Sequence, residues 1–305
     1  MSQFLRAHIA LFIVNLMYGA NYVVAKGLMP NIIGPNGFIW MRVSGATLIF
    51  WIIFNKSIEK IDKSDWVRII GCAVFGVTVN QLCFFNGLMR TSPVNAAVIM
   101  TTTPIIVLIL STFLLREKIR LPQLFGVLIG AIAAIIFSAY GKVSEFSTSS
   151  GDIFIFVNAF SYAIYLIMVK KLMAKYKPIT VITYVFTIGL FLVSLWPYSI
   201  SEFMEVDWAS TSNEDILRFI FVVIGVTVVP YSLMVYALKR LSPSITSIYI
   251  YLQPLLAAFF VYVFYLLGKE DYTDDFSYVK TICAIFIFAG VYLVIKPPKE
   301  VKKID

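Results

Sequence analysis

Apolar runs of membrane-spanning length recur along the chain with short polar breaks between them. They fall at about residues 8–25, 37–54, 67–88, 94–114, 122–140, 152–169, 179–198, 216–237, 244–266 and 278–295. A helix needs about 20 apolar residues to cross a bilayer, so each run is close to one crossing. The runs are continuous and do not alternate apolar with polar, which excludes barrel strands. The pattern predicts an all-α polytopic membrane protein with ten transmembrane helices, numbered here as spans 1 to 10. Span 1 follows Arg6 and resembles a signal peptide at first sight. It is long, however, holds Asn15 and Asn21, and is followed by nine similar runs, so it reads as a retained helix.

Composition excludes most alternatives. Of 305 residues, 60% are hydrophobic and only 14% are charged, and the mean hydropathy is +0.86. Soluble chains carry roughly 25% charge, so no sizeable soluble domain fits. The net charge of +8 does not point to nucleic acid, because membrane proteins collect Lys and Arg on their cytoplasmic side. With ten spans and a cytoplasmic N-terminus, eighteen Lys and Arg fall inside and six outside, with Arg42 within a span. The bias supports the even count and places both termini in the cytoplasm. The stretch 199–215 is acidic and free of Lys and Arg, as an exterior loop can be. The three cysteines lie in apolar runs without a C-x-x-C, and His8 is the only histidine. No zinc site, Ser-His triad or P-loop is expected, and neither a metal nor a cofactor.

The most specific signal is self-similarity. Leu88-Met89-Arg90-Thr91-Ser92-Pro93 matches Leu238-Lys239-Arg240-Leu241-Ser242-Pro243, 150 residues on. A second proline follows each Ser-Pro at the same spacing, Pro104 and Pro254. Val14-Asn15 with Ala20 and Tyr22 matches Val157-Asn158 with Ala163 and Tyr165. Each copy holds five spans. An odd count forces the second copy to enter the membrane from the opposite side, giving two inverted repeats. The expected units are 1–140, 152–296 and a cytoplasmic tail, 297–305.

At this point the chain resembles the drug/metabolite transporter superfamily, in its ten-helix EamA-like branch. The resemblance rests on Leu16-Met17-Tyr18-Gly19-Ala20-Asn21-Tyr22, Pro35 with Arg42, and Asn86-Gly87-Leu88 running into Ser92-Pro93. Pro104, the stretch Leu114 to Lys118 and Gly126 follow. In the second half it rests on Tyr236-Ala237-Leu238, Ser242-Pro243, Pro254 and Ala289-Gly290-Val291. It implies export or exchange of small metabolites, often amino acids, across a cytoplasmic membrane. It also implies a central cavity lined by spans 1, 3, 4, 6, 8 and 9.

Polar residues within spans face a cavity or a partner helix, because hydrocarbon satisfies none of their hydrogen bonds. Asn15, Tyr18 and Tyr22 share one face of span 1. Asn158, Tyr162 and Tyr165 repeat the pattern in span 6. Asn80 and Gln81 in span 3, Thr101 in span 4, Tyr231 in span 8 and Gln253 in span 9 complete the expected solute site. The competing reading of these residues is interhelical glue. Pro230 removes a backbone donor within span 8, and Pro104 and Pro254 are either hinges or tolerated kinks. Pro93 and Pro243 read as first-turn prolines behind Ser92 and Ser242 caps. Arg42 has two readings. It contacts a solute carboxylate or a gate, or it snorkels and caps carbonyls near the outer end; the second is favoured. Gly126-Val127-Leu128-Ile129-Gly130 offers a small-residue face for packing span 5 on span 10 or for a dimer, so both a monomer and a homodimer fit.

The expected lining is rich in amides, hydroxyls and rings and nearly free of charge, which suits an amphipathic organic solute. No Asp or Glu lies within a span core, so facilitated diffusion or exchange is expected in place of proton coupling. A membrane-embedded enzyme and a structural subunit are the alternatives. The first lacks a nucleophile, metal set or carboxylate pair, and the second has no use for inverted repeats.

Overall fold

In hydrocarbon a free backbone N–H or C=O has no partner, so every crossing segment closes its own hydrogen bonds as a helix. The computed structural model describes residues 3–117, 119–139, 150–269 and 278–295, and contains no strand among them. The tail at 297–305 and Lys118 lie outside the described residues. The helices are α1 (Gln3–Leu28), α2 (Pro35–Phe54), α3 (Lys63–Arg90), α4 (Pro93–Leu115), α5 (Leu121–Ala139), α6 (Ser150–Met173), α7 (Pro178–Ser194), α8 (Asn213–Leu238), α9 (Pro243–Leu266) and α10 (Tyr278–Ile295). Seven are long and apolar enough to cross a membrane, and shorter apolar helices in α5, α7 and α10 make up the ten. Hydropathy marks where apolar residues begin, whereas a helix begins at its cap. Thus α8 starts at Asn213, ahead of its apolar run, with Ser212 Oγ accepting from Asp215 N at 3.1 Å. Ser92 and Ser242 cap α4 and α9 in the same way, ahead of Pro93 and Pro243.

The polarity is that of a lipid-embedded bundle. Val67, Phe113 and Ile52 are 70–80% exposed, while Asn15, Gln81, Asn158 and Gln253 are buried. The two halves pack by exchange. Helix α1 lies against α8 and α9, and its counterpart α6 lies against α3 and α4. The first helix of each half therefore fills the groove between the third and fourth helices of the other.

The glycine face of α5 is occupied within the chain. A Cβ on Gly126 would lie 2.6 Å from the Gly290 carbonyl oxygen, and one on Gly290 would lie 2.6 Å from that of Gly126. Small residues let the two backbones touch, so this face packs α5 on α10 and is not open to a second copy. The acidic loop before α8 also has an internal role. Its short helix Ser199–Met204 brings the Glu202 carboxylate to the start of α2, where it accepts from Asn36 N at 2.7 Å and Gly37 N at 2.9 Å. A carboxylate at a helix N-terminus satisfies free N–H groups and complements the helix dipole.

Candidate functional site

Four helices are irregular, at matched places. Helix α3 widens into a π-turn at Val74–Thr78 and α8 at Phe221–Val228. Helix α4 tightens into a 3₁₀ turn at Met100–Thr102 and α9 at Ile248–Leu252. Pro104 and Pro254 follow the 3₁₀ turns, where they cannot donate to the carbonyls of Met100 and Ile250. The π-turns do not share such a cause, because α8 has Pro230 where α3 has Asn80. Irregular backbone in a membrane needs other partners, and side chains supply them. Ser161 Oγ donates to the Phe75 carbonyl at 2.6 Å, and Tyr231 OH donates to that of Gly76 at 3.1 Å. In α8, Thr227 Oγ1 donates to the Val222 carbonyl at 2.8 Å.

These irregular turns surround one cavity that encloses about 520 Å³ of space between atoms, open mouth included. From the first half come Tyr18, Asn21 and Tyr22 of α1, Arg42 of α2, Asn80, Gln81, Phe84 and Phe85 of α3, and Met100 of α4. From the second half come Asn158 and Tyr162 of α6, Tyr231 of α8 and Gln253 of α9. The lining thus draws on both halves and includes α2, which the sequence-based expectation omits. Hydrogen bonds fix parts of the wall. Tyr22 OH donates to Gln253 Oε1 at 2.8 Å, and Asn158 Nδ2 donates to the Asn80 carbonyl at 2.7 Å. Asn21 Oδ1, Asn158 Oδ1 and the Tyr162 hydroxyl have no hydrogen-bond partner among the described residues.

Three expected site residues stand behind the wall. Asn15 accepts from Gln253 Nε2 at 2.8 Å and donates to its own helix at Leu11, so it holds Gln253 and does not line the cavity. Thr101 turns its hydroxyl back to the Val98 carbonyl at 2.6 Å. Tyr165 stacks on Tyr162 and presses against Gly76, whose missing side chain makes the room. Pro104, Pro230 and Pro254 shape the backbone and lie outside the lining.

The favoured reading of Arg42 is overturned. It does not snorkel; it is 3% exposed and reaches inward, donating from Nε to Thr227 Oγ1 at 3.0 Å. Its guanidinium lies 4.5 Å from the centre of the Phe85 ring. Helical spacing alone does not give the rotation of α2 about its axis, and packing against α8 turns Arg42 into the bundle. Asn21, Phe84, Phe85 and Met100 line the cavity without being among the site residues expected from sequence. Phe84 and Phe85 stand one helical turn beyond Asn80 and Gln81, a spacing that could have marked them.

The two ends of the bundle carry a matched device. Lys26, near the end of α1, donates to the carbonyls of Leu88 (3.0 Å) and Thr91. Lys170, near the end of α6, donates to those of Leu238 at 2.5 Å and Leu241 at 2.7 Å. The acceptors are again 150 residues apart. Each lysine places a cation on the C-terminal carbonyls of the third helix of its own half, where the helix dipole favours it.

The sequence signature of the EamA-like transporter family matches residues 5–139 and 149–296. An uncharacterized transporter of Archaeoglobus fulgidus is 25% identical over 94% of this chain and 96% of its own. The uncharacterized transporter YyaM of Bacillus subtilis is also 25% identical, over 82% of this chain and 83% of its own. A solved crystal structure shares the fold with a TM-score of 0.72 at 15% identity, covering 94% of this chain and 95% of that one.

Proposed function

The chain belongs to the EamA-like transporter family and is a membrane transporter; on that premise we propose that it carries small organic metabolites, amino acids among them, across the cytoplasmic membrane by alternating access. Export or exchange is the direction of use, and both termini face the cytoplasm. The observation that carries this reading is the cavity between the halves, lined from both and bounded by irregular turns at matched places. Two inverted copies of one unit can exchange conformations, and each exchange moves the opening of a shared cavity to the other face. Lys26 and Lys170 support it further. They sit at opposite ends of the bundle, each bridging two helices, where a closed end needs a contact and an open end must lose one.

The lining holds no carboxylate, and a proton-coupled carrier uses an intramembrane Asp, Glu or His relay. The transport cycle is therefore diffusion or exchange driven by the solute's own gradient. Purified protein in liposomes should accelerate equilibration and counterflow of labelled solutes from a broad panel above the protein-free rate. An imposed proton gradient should not drive accumulation. Uphill uptake that follows the proton gradient would refute the coupling, and a whole panel at the protein-free rate would refute transport of these solutes.

A further inference from the structure

Arg42 is a buried cation without an anion. Its only protein hydrogen bond among the described residues runs from Nε to Thr227 Oγ1. Thr227 in turn donates to the Val222 carbonyl in the π-turn of α8, so the acceptor oxygen is held in place. The rings of Phe85, at 4.5 Å, and Phe38, at 5.8 Å, flank the guanidinium and stabilise its charge partially. Among the described residues no ion pair reaches it, and the lining contains neither Asp nor Glu. A desolvated charge without a counter-ion is among the most unfavourable arrangements a membrane interior can hold. Such a residue points to a charge that arrives from outside the chain.

The geometry of the donor set narrows that charge. Using Nε for Thr227 leaves both Nη groups, the end-on fork that a planar carboxylate accepts bidentately. One cation in an otherwise uncharged wall matches a single negative charge, and a phosphate dianion would leave one unbalanced. The rest of the wall suits an organic body, with Tyr18, Tyr22, Phe84 and Met100 alongside the amides. We propose that Arg42 is the carboxylate-binding residue of the cavity and that the solute class is small organic monocarboxylates. This rests on the transporter reading above. The vacant site carries one positive charge and the loaded site none at Arg42. The loaded carrier therefore crosses its closed state more readily than the vacant one, which favours exchange over net flux.

The test is counterflow in liposomes with the unmodified chain. The panel comprises the standard amino acids and simple aliphatic and aromatic monocarboxylates, with the matching amides and decarboxylated amines. Carboxylates should exchange, and the amide or amine of the same body should exchange at least roughly tenfold less well, as loss of a charged hydrogen bond implies. In Arg42→Gln the preference of carboxylate over amide should disappear, while Arg42→Lys, which keeps the charge and loses the fork, should retain part of it. Equal exchange of acids, amides and amines by the unmodified chain overturns this assignment and leaves the transporter reading intact. Undiminished acid preference in folded Arg42→Gln overturns it as well. Exchange of no solute in the panel removes both readings.

Discussion

Liposomes carrying Asn158→Leu are expected to transport roughly ten- to a hundredfold more slowly than the parent chain, with the protein still folded. The magnitude follows from losing a buried polar contact together with a polar group of the wall, on the scale of about 1–3 kcal/mol. Asn158 is 1% exposed, lies in the lining and ties α6 of one half to the Asn80 carbonyl of the other. Leucine keeps the volume and removes both amide atoms. Asn15 is equally buried and occupies the matched place in α1, yet it acts only through Gln253. Asn15→Leu should therefore slow transport less than Asn158→Leu. Both are read as initial counterflow rates normalised to reconstituted protein. Equal rates in the two variants and the parent would return these residues to the role of glue between helices.

Gly76→Leu is expected to abolish recovery of a folded, monodisperse protein. Even a Cβ at Gly76 would lie 2.3 Å from Tyr165 Cδ2 and 2.7 Å from Cγ. That ring is fully buried and stacked on Tyr162, so it has nowhere to move. The Gly76 carbonyl also holds Tyr231, which ties the α3 π-turn to the cavity wall. Overpacking a close-packed site costs about 1–3 kcal/mol for modest additions, and leucine adds more than a methylene. Gly268 is the control. Its φ is +66°, and nothing lies within 4 Å of the place a Cβ would take. Gly268→Asn, which tolerates that backbone, should therefore behave as the parent does. Gel-filtration profiles and thermal melts compare the three. A Gly76→Leu protein with the parent's profile would mean that α3 and α6 do not pack this closely.

Much of this architecture is legible in the sequence because its cause is local. A Ser-Pro cap and a proline eleven residues later act on their own turn of helix, so their recurrence 150 residues on marks the repeat. The 3₁₀ turns of α4 and α9 fall just before those second prolines. The π-turns are not legible in the same way. Pro230 hints at one, but α3 widens with Asn80 in its place, and the stabilising donors Ser161 and Tyr231 come from distant helices. Long-range contact also decides which member of a polar stripe reaches the cavity. Asn15, Tyr18 and Tyr22 share a face, yet only the two tyrosines line it, because Gln253 of α9 stands in front of Asn15. Arg42 shows the same limit: its position is evident in the sequence and its direction is set by α8.

The alternating access proposed above works by exchange between a first half and a second half inverted relative to it. Single cysteines at Arg90, the last residue of α3, and Lys239, just beyond the end of α8, test this in a background lacking Cys72, Cys83 and Cys283. A membrane-impermeant maleimide applied to intact cells should label Arg90→Cys, and Lys239→Cys should be labelled only after the membrane is opened. Labelling of both from the same side would contradict the inverted arrangement, and with it the exchange of conformations that the proposed mechanism uses.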